Sequence, residues 1–177
     1  MEPDRQPTLT GERVTLRPST PDDWEALFAV ASDPLIWEVH PAHDRWQEPV
    51  FRAYFDAGIA SGGALTILDH ASGDVIGSSR FDNWKPEADE IEIGWTYLER
   101  AYWGGSYNRE IKRLMLDHIH AHVGTVVFTV GEGNIRSRKA MEKIGGVLRP
   151  GIEMRLMAGE MKPHVIYEIR RQGNLKA

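Results

Sequence analysis

The sequence predicts an α/β domain, a mixed sheet of about seven strands flanked by about four helices. Three observations carry this. Stretches that alternate apolar and polar residues with a period of two recur between stretches with helical spacing. One stretch, Thr125 to Val130 (TVVFTV), is a continuous β-branched run of the kind buried on both faces of a sheet. Glycine pairs stand where elements end, at Gly62-Gly63, Gly104-Gly105 and Gly145-Gly146.

Taken in order, residues 1–8 read as a flexible amino-terminal tail, 9–172 as the domain and 173–177 as a carboxy-terminal tail. Arg13 to Arg17 is a short first strand. Thr20 can cap the next helix, with Pro21 at its first position, Asp22 and Asp23 in its first turn, and Trp24, Leu27, Phe28 and Ala31 on its buried face. Pro34 ends it. A second helix, about Val50 to Ala60, places Phe51, Phe55 and Ile59 on one side. Ala64 to Leu68 and Val75 to Phe81 form strands about the turn-rich run His70 to Asp74, and Asn83 to Asp89 links them to a strand at Glu90. After the Thr125 strand, Gly131-Glu132-Gly133 turns into a helix capped by Asn134, with Ala140, Met141 and Ile144 facing inward. Glu153 to Met157 and Val165 to Arg170 close the chain as a hairpin.

The 177 residues suffice for one core. Forty-one per cent hydrophobic and 27% charged residues are globular values. A net charge of −5 argues against a general nucleic-acid binder, which needs a basic face. With no cysteine there is no disulfide, thiolate metal site or cysteine nucleophile. Met1 to Pro7 lacks an apolar signal core, and no run of 18 apolar residues exists, so a cytoplasmic chain with no membrane partner is expected.

The chemistry centres on Glu90 to His122. Ile91, Ile93, Trp95 and Tyr97 alternate with Glu90, Glu92, Gly94 and Thr96 as a strand. Trp103-Gly104-Gly105-Ser106-Tyr107-Asn108 then opens a helix whose Ile111, Leu114, Met115, His118, Ile119 and His122 share a face. A helix start presents unpaired N–H groups and partial positive charge, which suit a phosphate. Gly104 and Gly105 permit close backbone approach, and Ser106 and Asn108 can add donors. The plainer alternative is a glycine turn that only redirects the chain.

Five strings in this order resemble the GNAT superfamily of acyl-CoA-dependent N-acetyltransferases, most of all its ribosomal-protein alanine N-acetyltransferase branch. They are Leu16-Arg17-Pro18 with Pro21-Asp22-Asp23; Gly73-Asp74-Val75-Ile76-Gly77; Glu92-Ile93-Gly94-Trp95 with Tyr102-Trp103-Gly104; Asn134-Ile135-Arg136-Ser137; and Met141 to Gly146. The resemblance covers nearly the whole chain and implies a single-domain fold with a mostly antiparallel central sheet. It implies acetyl-CoA as co-substrate, with its pyrophosphate on a loop patterned R/Q-x-x-G-x-G/A. Trp103, Ser106 and Asn108 stand at the patterned positions and depart from them. By the same resemblance Leu98 meets the pantetheine arm, Asn134 its other side, and Ser137 lies near the thioester sulfur, while Gly94 marks a bulge that splays the strand. Arg136, Arg138 and Lys139 are cationic candidates for the 3′-phosphate, Lys139 among the cofactor contacts.

Glu92, beside the splay, is a candidate base for the acceptor amine; the alternative is a solvated face, which Glu90 favours more strongly. His118 and His122 are spaced to hold zinc, but partnered core histidines explain them better, and no metal is expected. By the same resemblance Trp37, His40, His43 and Trp46 line an acceptor pocket, the alternative being core or loop packing, and the nearby Glu38, Asp44 and Glu48 suggest a cationic amine unless they simply face water. The resulting expectation is an N-acetyltransferase, monomer or homodimer, in which an acceptor amine attacks the thioester directly. The rival is a non-catalytic acyl-CoA-binding module of the same fold.

Overall fold

In the computed structural model, which describes residues 1–172, the strands run β1 (Leu9–Thr10), β2 (Val14–Pro18), β3 (Ala64–Asp69), β4 (Val75–Lys85), β5 (Glu90–Leu98), β6 (Thr125–Gly131), β7 (Val147–Leu148), β8 (Glu153–Met157) and β9 (Glu160–Arg170). The helices are α1 (Trp24–Ala31), α2 (Pro34–Trp37), α3 (Glu48–Ser61), α4 (Ser106–Ile119) and α5 (Ile135–Lys143). The nine strands form one sheet in the order β1-β2-β3-β4-β5-β6-β9-β7, with β8 on β9. Every pairing is antiparallel except β5 with β6. The mixed α/β class is as the sequence predicts. The extra strands, β1 and β7, are two residues long, too short for any periodicity to show.

Two cores lie on the two faces. One packs α4 and α5 on the sheet through Ile111, Met115, Ile119, Val126, Phe128 and Met141. The other gathers α1, α2 and α3 around Leu27, Trp37, Phe51, Phe55 and Tyr97. Pro21 opens a turn of 3-10 helix that runs into α1, and Asp23 accepts the Thr20 N–H at 2.8 Å, half of the expected cap. Asp23 also takes both Arg17 nitrogens, at 2.7 and 2.9 Å, and so ties β2 to this turn. Pro34 does more than stop α1: it is the first residue of α2, capped by Asp33.

Several polar residues are placed otherwise than the strand pattern suggests. Glu90 and Glu92 are buried, not solvated, because cations from the last third of the chain reach them. Arg149 contacts Glu90 at 2.6 Å. His122 is exposed, and half-buried His118 bonds Asp4 O at 2.8 Å, so the buried stripe of α4 carries Lys112 in place of the histidines. The amino-terminal segment is tied down at that point and again where Arg5 bonds Ser61 O at 3.0 Å. The expected tail at 173–177 lies outside the described residues. No helix among the described residues is long and apolar enough to cross a membrane.

Candidate active-site cleft

The sheet opens between β5 and β6. The two strands pair over only Glu90–Glu92 against Thr125–Val127 and then part. The register of β5 against β4 slips between Ser78 and Arg80, and Trp95 adopts φ 52°, so the bulge expected at Gly94 falls one residue later. A tryptophan in the left-handed region is strained and must be held. The Tyr54 hydroxyl donates to Trp95 O at 2.6 Å, and the Arg80 guanidinium lies 4.1 Å over the indole. The parted strands border a cleft of about 400 Å³.

The amino terminus of α4 forms one end. Gly104 and Gly105 have φ 105° and 129°, and a Cβ on either would meet nothing within 4 Å, so the backbone here is open to a ligand. Trp103, Gly104, Gly105 and Asn108 line the cleft; Ser106 and Tyr107 do not. Tyr107 instead donates to Asp69 at 2.9 Å, and Tyr102 to the same carboxylate at 3.3 Å, anchoring the turn to β3. Trp103 donates from Nε1 to Leu98 O at 3.0 Å, so the carbonyl expected to face pantetheine already has a partner. Arg136 stacks 3.8 Å over the Trp103 ring, and Arg109, Lys139 and Lys143 add charge at the walls. Arg138 turns away, to Tyr167 and Glu132 O.

Asn134 is buried and caps α5, accepting the Ser137 N–H at 3.2 Å. The Ser137 hydroxyl has no hydrogen-bond partner among the described residues, and the residue lines the cleft. Glu92 is 3% exposed and also lines it. Arg155 holds both Glu92 oxygens at 3.1 Å, and Asn83 donates to Oε2 at 2.7 Å. Both Glu92 oxygens are thus engaged by charge-assisted hydrogen bonds.

Among the cleft residues that escaped the sequence reading, three stand out. Lys112 is 3% exposed, and its Nζ donates to Thr96 Oγ1 at 2.6 Å. Burial lowers its pKa to about 7. The signal was present: a lysine between Ile111 and Met115 sits on the apolar stripe. Arg155 comes from β8, 63 residues beyond Glu92 in sequence, with no local cue. Arg45 stacks on Tyr54 at 4.2 Å and Trp37 at 5.2 Å. Trp37 and His40 line the cleft as expected, but His43 and Trp46 do not. Glu38, Asp44 and Glu48 stay outside it as well, so the charge argument for a cationic acceptor loses its basis. Seven lining residues are lysine or arginine, and Glu92 is the only carboxylate.

A family model described as the acetyltransferase (GNAT) domain matches residues 13–147. The chain belongs to the GNAT acetyltransferase family. Its fold is similar to that of a GCN5-related N-acetyltransferase from Brucella melitensis, with 21% identity, a TM-score of 0.78, and 94% of this chain and 79% of that one covered. RimJ from Mycobacterium smegmatis, solved with CoA-disulfide, shares 19% identity at a TM-score of 0.74, covering 96% and 90%. Spermidine N-acetyltransferase from Vibrio cholerae, solved with CoA and spermine, shares 14% at 0.69, covering 89% and 95%. At these identities the likeness speaks to the fold alone.

Proposed function

We propose that the chain is an acetyl-CoA-dependent N-acetyltransferase that moves the acetyl group directly to an amine. The observation that carries this reading is the cleft itself. It joins an open glycine turn at a helix start to a gap between two parallel strands, and Arg109, Arg136, Lys139 and Lys143 are among the residues that line it. Backbone N–H groups at Gly104 to Asn108 take the pyrophosphate, and Arg109, Arg136, Lys139 and Lys143 neutralise phosphate charge. Ser106 and Tyr107 contribute through backbone rather than side chain. Asn134 and Leu98 border the pantetheine arm. The branch suggested by the sequence strings, acting on protein amino termini, is one source of the acceptor amine.

In the transfer the amine nitrogen attacks the thioester carbonyl, the carbon–sulfur bond breaks, and the amine proton leaves. Glu92, proposed from sequence as the base, is neutralised by Arg155 and serves better to fix that arginine beside the splay. The buried Lys112 amine, about half neutral near pH 7, is the group suited to accept the proton. The Ser137 hydroxyl, which lines the cleft, protonates or stabilises the departing thiolate in this reading.

The test is release of free CoA from acetyl-CoA with a panel of amines, alongside the thermal shift that acetyl-CoA produces. Amine-dependent release supports the enzyme. A shift with no release from any amine leaves the acyl-CoA-binding module as the better reading, and no shift at all removes both.

A further inference from the structure

One corner of the cleft is built from Trp37 at the end of α2 and from His40 and Arg45 on the segment between α2 and α3. Pro41 packs this corner on β6 so tightly that a Cβ on Gly131 would lie 2.4 Å from the proline ring. His164 stands across the strand pair from Gly131. The Arg45 guanidinium has no hydrogen bond and no carboxylate within 4.0 Å among the described residues, although Asp44 is its neighbour in sequence and the Arg45 N–H donates to Ala42 O at 3.3 Å. Two aromatic faces hold its guanidinium in place.

The His40 ring meets Trp37 edge-on at 5.5 Å, and its Nδ1 accepts the Ala42 N–H at 2.9 Å. A ring nitrogen that accepts from the backbone leaves the hydrogen on the other, so Nε2 is inferred to be an N–H donor. Burial, aided by the positive fields of Arg45, His164 and Arg136, lowers His40 to about 3, which keeps the ring neutral. His164 contributes no negative charge: its Nδ1 lies 2.9 Å from Lys162 O. The corner thus offers donors and a fixed cation with no carboxylate in contact with them among the described residues; Asp44 acts on Arg45 only through its field. The phosphates of acetyl-CoA are proposed for the glycine turn, and Arg155 is already balanced by Glu92.

We infer that the acceptor amine carries a carboxylate, bound by the Arg45 guanidinium fork with the His40 Nε2–H beside it, as in a free amino acid. This deepens the proposed acetyl transfer and rests on it. A planar fork held flat by ring stacking suits a planar carboxylate, and lysine would not reproduce that geometry. A desolvated guanidinium also rejects an ammonium, so a polyamine is a poor occupant.

The test compares matched pairs, leucine with isoamylamine and phenylalanine with phenethylamine, with spermidine, an alanyl peptide and O-phosphoethanolamine as further arms. kcat/KM for the amino acid should exceed that of its decarboxylated partner by tenfold or more. Arg45→Met keeps apolar contact with Trp37 and Tyr54; it should abolish the preference while the acetyl-CoA thermal shift stays. Arg45→Lys should recover it only in part. Equal rates within the pairs, preference for spermidine or the peptide, or a preference untouched in both variants would overturn the inference; a phosphate preference would reassign the corner to phosphorylated amines. Calorimetry of leucine and isoamylamine on the CoA-saturated protein reads the corner without turnover. Arg45-dependent leucine binding without acetyl transfer would keep the anion corner and sink the enzyme reading. Acetyl transfer with no such binding would do the reverse.

Discussion

Lys112 shows what a single buried charge asks of this fold. Its amine lies in the core-facing stripe of α4 with Thr96 Oγ1 as its hydrogen-bond acceptor. Burial lowers its pKa from 10.5 to about 7. The folded value is below the unfolded one, so between about pH 7 and 10 the unfolded chain binds a proton that the folded chain lacks. Stability therefore rises with pH across that window and the penalty stands in full below it. Methionine fits the same space without the charge. Lys112→Met should raise stability at pH 7 by roughly one to a few kcal/mol and flatten its rise toward pH 10, read by denaturant melts at several pH values. If Lys112 takes the amine proton, the same variant should lose about two orders of magnitude in kcat/KM, along with the step near pH 7 in the parent profile. A variant more stable and equally active would end the catalytic assignment. Glu92→Gln tests the neighbouring pair. With Arg155 left facing an amide, turnover should fall at every pH, whereas a free base would show a loss that shrinks at alkaline pH.

Among the elements, α4 is the hub, and one carboxylate fastens it to the start of the sheet. Glu110 is buried and accepts three backbone N–H groups, those of Glu12 at 3.1 Å, Arg13 at 2.8 Å and Val14 at 2.9 Å. Gly11 leaves room for it, since a Cβ there would be 2.8 Å from the carboxylate. Glu110→Ala should cost about 2–3 kcal/mol, a fall of roughly 5–10 °C in Tm, because three donors lose their partner together. A change of about one degree or less would show that water replaces the contact freely. At the amino-terminal cap of the same helix, Gly105→Val places a β-branched residue at φ 129°. It should weaken acetyl-CoA binding about tenfold or more, measured by calorimetry, by shifting the turn and crowding the backbone approach. Unchanged affinity would remove the pyrophosphate from this loop.

At the scale of the molecule, what the sequence conveys and what it hides divide along sequence distance. Period-two and helical stripes located all strands of five or more residues and four of the five helices, because each pattern is local. The glycine turn and the Asn134 cap were legible for the same reason. The partners of Glu90 and Glu92 were not, since Arg149, just past β7, and Arg155, on β8, arrive from about sixty residues away. The orientation of Tyr107 toward Asp69 and of Trp103 toward Leu98 O likewise depends on how the turn docks. The same distance argument shapes the mechanics of the whole sheet. Its two halves, β1–β5 and β6–β9, are joined edge to edge by only the Glu90–Glu92 pairing, with the cleft beyond it. A ligand lying in that gap touches both halves at once: β5 from Gly94 to Leu98 on one side, the Gly131–Ser137 turn on the other. Acetyl-CoA at about a hundred times its Kd should add roughly 2.7 kcal/mol of stability. Amide exchange should then slow on both sides of the splay, and not at Gly104–Asn108 alone. Protection confined to the glycine turn would mean that the cofactor is held by its phosphates only and does not bridge the sheet. In that event the thioester does not reach Lys112 and Ser137, and the roles proposed for them fall together.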